Sequence, residues 1–405
     1  MRVYLAFLRN NVKLTFRDRT ALFFSYAFPL IFFFIFGQST GAEQGGIITQ
    51  VVSMVLLIGV LGNGLFGAGL RAVMEREQNI LRRFKIAPIS AAPLLAASLA
   101  TGWLFYMPAA VMVVALAHWI YGMPVPGRLG SLLLFVSLGI LAFRSLGLIV
   151  ASVVNSMQES QILIQLLYLP MLFLSGATFP ISALPGWLQI VSQFLPASYL
   201  HLGLQSILLK GESALYNPAG IAAMLITTVL STLLGVKLFR WEKEEKIPAA
   251  GKLWLAAAML PFLVLGVWDA YSKQNVRRAK VLSRDLRRTR TILIRNARIF
   301  TGDGRVIGQG AILIKDGRVD RVLEGAAPQA QDLKAESIDA NGKTVLPGLI
   351  DVHVHLGAPG GIPALASDAG GPAKDEKEWT PENAFRRALA AYLFSGVTAV
   401  RSAGD

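Results

Sequence analysis

Long apolar stretches with few or no charged residues alternate with short segments that contain Lys and Arg. Six such stretches precede residue 240: Ala21 to Gly37, Ile47 to Leu70, Leu94 to Tyr121, Leu129 to Val154, Gln161 to Phe179 and Ala219 to Phe239. A helix rises about 1.5 Å per residue, so each stretch is long enough to cross a hydrocarbon layer of about 30 Å. The pattern predicts six transmembrane helices.

A seventh apolar stretch, Leu253 to Trp268, is shorter and contains Pro261. It fits a tilted span, an uncleaved signal anchor or a helix in the membrane interface. We therefore expect an α-helical polytopic membrane domain with six or seven spans. Residues 1–250 form this domain, and residues 251–290 form the seventh stretch and a basic linker.

The distribution of Lys and Arg predicts the orientation. The first nineteen residues carry five of them and residues 71–85 carry five more, whereas residues 38–46 carry none and residues 180–218 only Lys210. Basic residues in short loops resist translocation, so we predict a multi-pass protein of a bacterial-type cytoplasmic (inner) membrane with a cytoplasmic N-terminus. The basic, partly apolar first segment also predicts a helix that lies on the membrane lipid.

Composition agrees with a membrane protein. Apolar residues make up 54% of the chain and charged residues 16%, there is no Cys, and the formal net charge is +14. The basic residues border apolar stretches, which favours membrane topology over nucleic-acid binding. The absence of Cys excludes thiolate catalysis and thiolate metal ligands.

Three segments carry a resemblance to a known family. They are Met74 to Ser90, with its mixed acidic and basic residues; Leu174 to Pro180 with Leu184 to Trp187; and Leu195 to Leu200, which runs on to Gly211. In order and spacing they resemble the type-2 ATP-binding-cassette exporter permeases, over roughly residues 1–245. One departure is Asn79, where the family usually has Gly.

The resemblance implies a permease that forms a homodimer or heterodimer and couples to a separate cytoplasmic ABC ATPase subunit. The 71–90 segment would dock that subunit, through the charged residues Glu75, Arg76, Glu77, Arg82 and Arg83. A mixed-charge surface suits a specific polar contact. The alternative is a solvated helix whose cations only set the topology. A phosphate-binding loop has the form Gly-x-x-x-x-Gly-Lys-Ser/Thr. Gly342 to Thr344 match its last three positions, but Ser337 occupies the position of its first Gly. ATP would therefore act only through the separate subunit.

Arg144 lies inside the fourth predicted span. A cation at that depth costs several kcal/mol unless it reaches a polar partner or the interface. It is a candidate for the transport path, and the alternatives are snorkelling or a structural pair with a polar neighbour.

Residues 291–405 have the composition of a soluble domain, with short alternating strands separated by Gly turns. Asp351, His353 and His355 follow Pro347-Gly-Leu-Ile and alternate along one strand, so they share a face. Two imidazoles at a strand end can bind one divalent metal, which would activate a water molecule. The alternative is a surface strand with two unrelated His.

This region resembles the amidohydrolase superfamily, in which a small β-sandwich leads into a (β/α)8 barrel. The resemblance implies that His353 and His355 bind a divalent metal, in the first place zinc, and that Asp351 supports these ligands. A barrel needs about 250 residues, but only about sixty follow Leu346, and no His follows His355. We expect only the first two barrel strands, the second at Val397 to Arg401, in a truncated domain that is inactive as given and belongs to a fusion or a fragment.

Two functions follow. The first is the permease subunit of an ATP-driven exporter fused to a partial amidohydrolase domain. The alternative is a membrane-anchored, metal-dependent amidohydrolase acting on amide or cyclic amide C–N bonds, complete only if the sequence continues past 405. Residues 273–290 are strongly basic. Either the domain after them is exported to the outer side, or Leu253 to Trp268 does not cross and the domain faces the cytoplasm.

Overall fold

The computed structural model describes residues 2–39, 47–85, 89–356 and 381–402. The chain forms two compact units. The first comprises Met1–Thr291 with Ile314–Arg318 and Gln331–Glu336, and the second comprises Ile292–Leu313, Val319–Ala330 and Ser337–Asp405.

The first unit is helical. Its α-helices are α1 Arg2–Thr15, α2 Arg19–Leu22, α3 Phe28–Ser39, α4 Ile47–Leu61, α5 Arg71–Glu77, α6 Arg82–Lys85, α7 Ala92–Tyr121, α8 Leu129–Val153, α9 Met157–Leu174, α10 Gly186–Ser192, α11 Pro196–Lys210, α12 Pro218–Lys237, α13 Leu253–Ser272 and α14 Gln274–Arg288. Two wider π-helical segments, Phe23–Ala27 and Gly62–Leu70, join α2 to α3 and α4 to α5.

Five helices in the described part of the chain are long and apolar enough to cross a membrane: Ile47–Glu77, Ala92–Tyr121, Leu129–Val153, Pro218–Lys237 and Ala249–Ser272. Four of them contain predicted spans, and the last contains the seventh stretch. The first predicted span appears only as the shorter apolar helix Ser25–Gln38. The fifth lies in α9, whose first turns are polar. A count of six or seven spans therefore stays a prediction.

The core of this unit is formed by α4, its π-helical extension and α8, which approach each other through glycines. A Cβ atom on Gly147 would overlap the carbonyl oxygen of Gly64, and one on Gly64 would overlap the backbone of Phe143. Small residues let helix backbones come this close, which increases van der Waals contact where no water is displaced.

Helix α13 runs between the two ends of the bundle. At its start, Lys252 forms an ion pair with Glu159 at the beginning of α9. Near its end, Asp269 accepts a hydrogen bond from Tyr199 in α11, at 2.9 Å. Its side chains Ala258 and Phe262 are fully buried in the same core as α4 and α8. The seventh apolar stretch is thus an integral helix of the bundle.

The second unit contains small sheets. Strands β1 Ile292–Phe300, β2 Val306–Lys315, β3 Arg318–Glu324 and β4 Glu336–Asp339 are ordered β3-β2-β1-β4, and β5 Thr344–Val345 pairs in parallel with β1. Strands β6 Leu349–Val354 and β7 Val397–Ser402 form a separate parallel pair, and α15 Pro381–Phe394 precedes β7. The loop expected at residues 357–378 lies outside the described residues, and a barrel stays a prediction.

Candidate functional site

The predicted docking segment folds as α5, a tight turn and α6. The turn closes with hydrogen bonds from Ile80 N to Glu75 O at 2.9 Å and from Asn79 N to Arg76 O at 3.0 Å. Asn79 has a φ of 56°, in the left-handed region. Glycine adopts this conformation at least cost and Asn tolerates it. Position 79, at which the resemblance implies Gly, is therefore one with a backbone requirement.

Arg76 is directed into the protein. It is 4% exposed and donates to the carbonyl oxygens of Ala151 at 2.7 Å and Val154 at 2.8 Å. These carbonyls lie at the C-terminal end of α8, where backbone acceptors lack helical partners and a cation is favourable. Arg76 therefore binds the end of α8.

Glu75 and Glu77 also have partners within the chain. Glu77 Oε1 accepts from the backbone N of Met157 at 2.6 Å, at the start of α9, and Glu75 pairs with Arg71 at 2.9 Å. A carboxylate at a helix N-terminus complements its unpaired N–H groups. Together Arg76 and Glu77 join the docking segment to α8 and α9.

Arg82 and Arg83 are exposed. Arg82 lies 3.6 Å from Glu242, a distance typical of a weak surface pair, and Arg83 has no ion pair in the described part of the chain. Lys85 lies 3.3 Å from Glu242 and 3.1 Å from Glu245. Its hydrogen bonds to Glu245 and Glu242 raise the pKa of the Lys85 ammonium. The exposed charge of the segment is thus at its C-terminal end.

The sequence reasoning missed Arg240. Its guanidinium donates to the carbonyls of Ser152 and Val154, to Asn155 Oδ1 at 2.7 Å and to Glu245 O at 2.6 Å. Burial lowers the pKa of the Arg240 guanidinium. The basic residues after α12 indicated only orientation, and nothing local to Arg240 distinguishes it from the exposed Lys243 and Lys246. Three of its four partners lie more than eighty residues away along the chain.

Arg144 is buried and bound entirely by neutral groups. Its Nε donates to Ser98 O at 2.6 Å, its Nη1 to Asn63 O at 3.1 Å and Oδ1 at 3.0 Å, and its Nη2 to Ser98 Oγ at 3.3 Å. Asn63 lies in the π-helical segment, where the helical hydrogen-bond pattern changes and carbonyls become available. A Cβ on Gly102 would overlap the Arg144 side chain, so a glycine in α7 leaves the space that the guanidinium fills.

A cavity of about 150 Å³ lies beside this guanidinium, and Phe66, Leu70, Phe105 and Arg144 are among its lining residues. The lining also includes Arg71 and Asp18, so the cavity combines apolar side chains with charges of both signs, which suits an amphiphile with a polar head. Arg144 is thus hydrogen-bonded to Asn63 and Ser98, and it also lines the cavity.

The imidazoles of His353, in β6, and of His355, directly after it, are neighbours. The ring centroids of His353 and His355 lie 5.3 Å apart, with the rings steeply inclined to each other. Asp351 Oδ1 accepts a hydrogen bond from the backbone N of His353 at 3.1 Å. In the described part of the chain no group of three or more His, Asp or Glu is placed to hold a metal. The pair could supply two of the four ligands that zinc takes.

The chain is similar to known proteins of two kinds. The family model of ABC-2 type transporters matches residues 2–209, about half of the chain. Dihydroorotases of Bacillus thuringiensis (strain Al Hakam), Bacillus cereus (strain B4264) and Bacillus anthracis (strain A0248) are 41% identical to this chain over 69 residues. That match covers 17% of this chain, and the chain spans only 15% of the length of these relatives.

Proposed function

Because this chain belongs to the ABC-2 type transporter family, we propose that it is the permease subunit of an ATP-driven exporter. The chain is an integral membrane protein, since its apolar helices accompany the family match. The observation that carries the proposal is this match over residues 2–209. An ATP-binding subunit is the partner that membership of the family implies.

We assign different tasks to the five charged residues of the docking segment. Arg76 and Glu77 join the segment to α8 and α9 through hydrogen bonds of 2.6 to 2.8 Å. Arg82 and Arg83 are exposed and contact the ATPase. A displacement of the segment by the ATPase would then reach two core helices directly, because the segment is hydrogen-bonded to their ends.

Charge reversal tests this assignment. The variant Arg82→Glu with Arg83→Glu should lose co-purification with the ATPase subunit and the stimulation of its ATP hydrolysis, by at least about tenfold, because like charges at an interface cost several kcal/mol. Arg9→Glu in α1, an exposed cation on the same predicted side, is the matched control and should change neither. Equal losses in both variants would contradict a docking role for α6.

A second copy of a permease chain is the proposed partner within the membrane. The face of α9 exposes Ile162 and Leu166 together with Gln161 and Gln165. Exposed amides are unfavourable in lipid, whereas facing helices can pair them. We propose that this face forms the dimer.

The chain has no Cys, so single substitutions report the dimer cleanly. Gln165→Cys should form an intermolecular disulfide in membranes under mild oxidation. Leu233→Cys, another exposed position, on α12, should stay monomeric. A disulfide at Leu233→Cys and none at Gln165→Cys would place the dimer contact elsewhere.

The second unit is proposed to lie on the outer side. This is supported by α13, which pairs with Glu159 at one end of the bundle and with Tyr199 near the other. On intact cells a membrane-impermeant maleimide should label Asp320→Cys, which is exposed in β3, and should not label Lys243→Cys, which is exposed after α12. Labelling of neither variant, or of only the second, would place the unit in the cytoplasm.

A metal-dependent hydrolysis of amide or cyclic amide C–N bonds is the second candidate. It is supported by the His353 and His355 rings, 5.3 Å apart, and by the short similarity to dihydroorotases. A bound metal would supply an activated water; in this chain the two imidazoles would hold the metal and Asp351 would fix the backbone of His353. Elemental analysis tests the site: the purified chain should retain zinc, and the variant His353→Ala with His355→Ala should lose it. Equal zinc content in both would remove the hydrolase proposal.

A further inference from the structure

A polar cavity of about 240 Å³ lies at the end of the bundle opposite to the docking segment. It is enclosed by α11, residues 176–183 and α14. Its polar lining comes from Gln50, Ser182, His201, Gln205, Ser283, Arg287 and Arg290, and none of the described Asp or Glu residues lines it. The cavity therefore carries positive charge and several hydrogen-bond donors.

Helix α14 is held against α11 by specific contacts, which position its arginines. Lys210 pairs with Asp285 at 3.1 Å, and Arg278 pairs with Glu212 at 2.9 Å. Ala279 and Leu282 are buried against Ile181 and Leu202. Ser283 and Arg287 follow on from this buried face four residues apart, so they share one side of the helix, and Arg290 lies two residues past its end.

Two side chains beneath the arginines have unused hydrogen-bonding capacity. His201 is 1% exposed, and its Nδ1 has no hydrogen-bond partner among the described residues. Gln205, one turn further along α11, is also buried. Buried polar atoms are nearly always hydrogen-bonded, so an unpartnered nitrogen in a polar cavity indicates a missing partner.

The arginines themselves differ. Arg290 lies 3.2 Å from Glu336, whereas Arg287 has no ion pair in the described part of the chain. The planar guanidinium fork matches two oxygens of a phosphate at once. Arg287, Arg290, Gln205 and His201 together offer the set of donors that a phosphate group with several oxygens can use.

We propose that this cavity is a binding site for a phosphate group, with Arg287 as its main ligand. Its source is the headgroup of an anionic phospholipid of the outer leaflet, because the cavity lies at the end of a transmembrane bundle, at headgroup depth. The choice of leaflet rests on the proposed orientation of the permease. The site itself does not, since it is built from contacts within the helical unit.

The test uses the full chain in lipid nanodiscs, without the ATPase. Native mass spectrometry would count the phosphatidylglycerol molecules retained as their fraction rises in phosphatidylcholine. Arg287→Ala should weaken retention at least tenfold, and Gln205→Met, which keeps the volume and the charge, should weaken it several-fold. Arg277→Ala, an exposed cation of the same helix outside the cavity, should stay within twofold of the parent chain.

Inorganic phosphate distinguishes the sources. Displacement of phosphatidylglycerol by millimolar phosphate, abolished in Arg287→Ala, confirms that the site binds the phosphate group. If the chain retains no phosphatidylglycerol, and phosphate alone raises the thermal unfolding midpoint in the parent chain but not in Arg287→Ala, the ligand is a soluble phosphate compound and the lipid source is overturned. Equal loss of lipid in Arg287→Ala and Arg277→Ala, at unchanged unfolding midpoints in phosphatidylcholine, would overturn the proposal, because only the charge of α14 would then matter. Failure of ATPase coupling has no effect on either readout.

Discussion

The helical core buries its apolar side chains, whereas the β6–β7 pair exposes them. In α4, Leu56, Leu57 and Leu61 are fully buried, whereas in β6 Ile350 and Val352 are each 68% exposed. Both segments are apolar in sequence, so hydropathy alone does not separate them. What differs is whether the described chain supplies the surface that covers them.

Charged groups show the same contrast. The helical unit satisfies its buried cations from distant backbone carbonyls, as Arg76 does at Ala151 and Arg144 at Ser98. In the second unit, His353 and His355 have each other as neighbours, and the described residues offer no third metal ligand near them. Among the described residues, the first arrangement is complete within its own unit, and the second offers two of the four ligands that zinc takes.

The largest effect is expected where the π-helical extension of α4 meets α8. Gly147→Val should lower the free energy of unfolding by at least about 3 kcal/mol, because the added atoms overlap the Gly64 carbonyl and neither backbone can yield cheaply. Denaturation by SDS in mixed micelles, followed by tryptophan fluorescence, measures it. Gly130→Val on the same helix, where an added Cβ meets nothing within 4 Å, is the control. Equal destabilisation of both variants would mean that the close approach is not what holds the pair together.

Next in size is the buried cation of the docking segment. Arg76→Met should cost about 2 to 3 kcal/mol, because two carbonyls at the end of α8 lose charged donors. Arg83→Met, in the exposed part of the same segment, should leave the unfolding free energy within about 0.5 kcal/mol and should reduce ATPase association. The reverse order of stabilities would exchange the roles that we assign to these two arginines.

The sequence predicts the family and a helical membrane fold, and the reasons are physical. A stretch of about twenty consecutive apolar residues is a local signal of a membrane helix. The family match confirms the resemblance over residues 2–209. It did not separate Arg76 from Arg82, because their difference depends on carbonyls of residues 151 and 154, far along the chain. The roles of Glu75, Glu77 and Arg144 in coupling or transport, and of His353, His355 and Asp351 in metal binding, stay predictions.

A smaller effect is expected at the turn between α5 and α6. Asn79→Gly should stabilise the chain by up to about 1 kcal/mol, because φ is 56° there and glycine has no Cβ to oppose it. Asn79→Ala should destabilise the chain, because the Cβ of alanine opposes this φ as that of Asn does, and alanine lacks the side-chain amide of Asn. Thermal unfolding of the two variants checks the order. A lower unfolding midpoint for Asn79→Gly would show that the Asn79 amide, and not the backbone, decides this position.

The smallest effect is expected in β6, and it tests most directly the contrast between the buried helical core and the exposed strand. Val352→Thr should change the stability of the chain by less than about 0.5 kcal/mol, because the side chain is already in contact with water. Leu57→Ala in α4 should cost about 2 to 5 kcal/mol, since it leaves a cavity in a fully buried layer. Hydrogen exchange of the intact chain reports each unit separately. If Val352→Thr increased exchange throughout β6 and β7, that face would be covered by another surface in solution. The two regions would then differ in which surface covers their apolar side chains, and not in whether those side chains are packed.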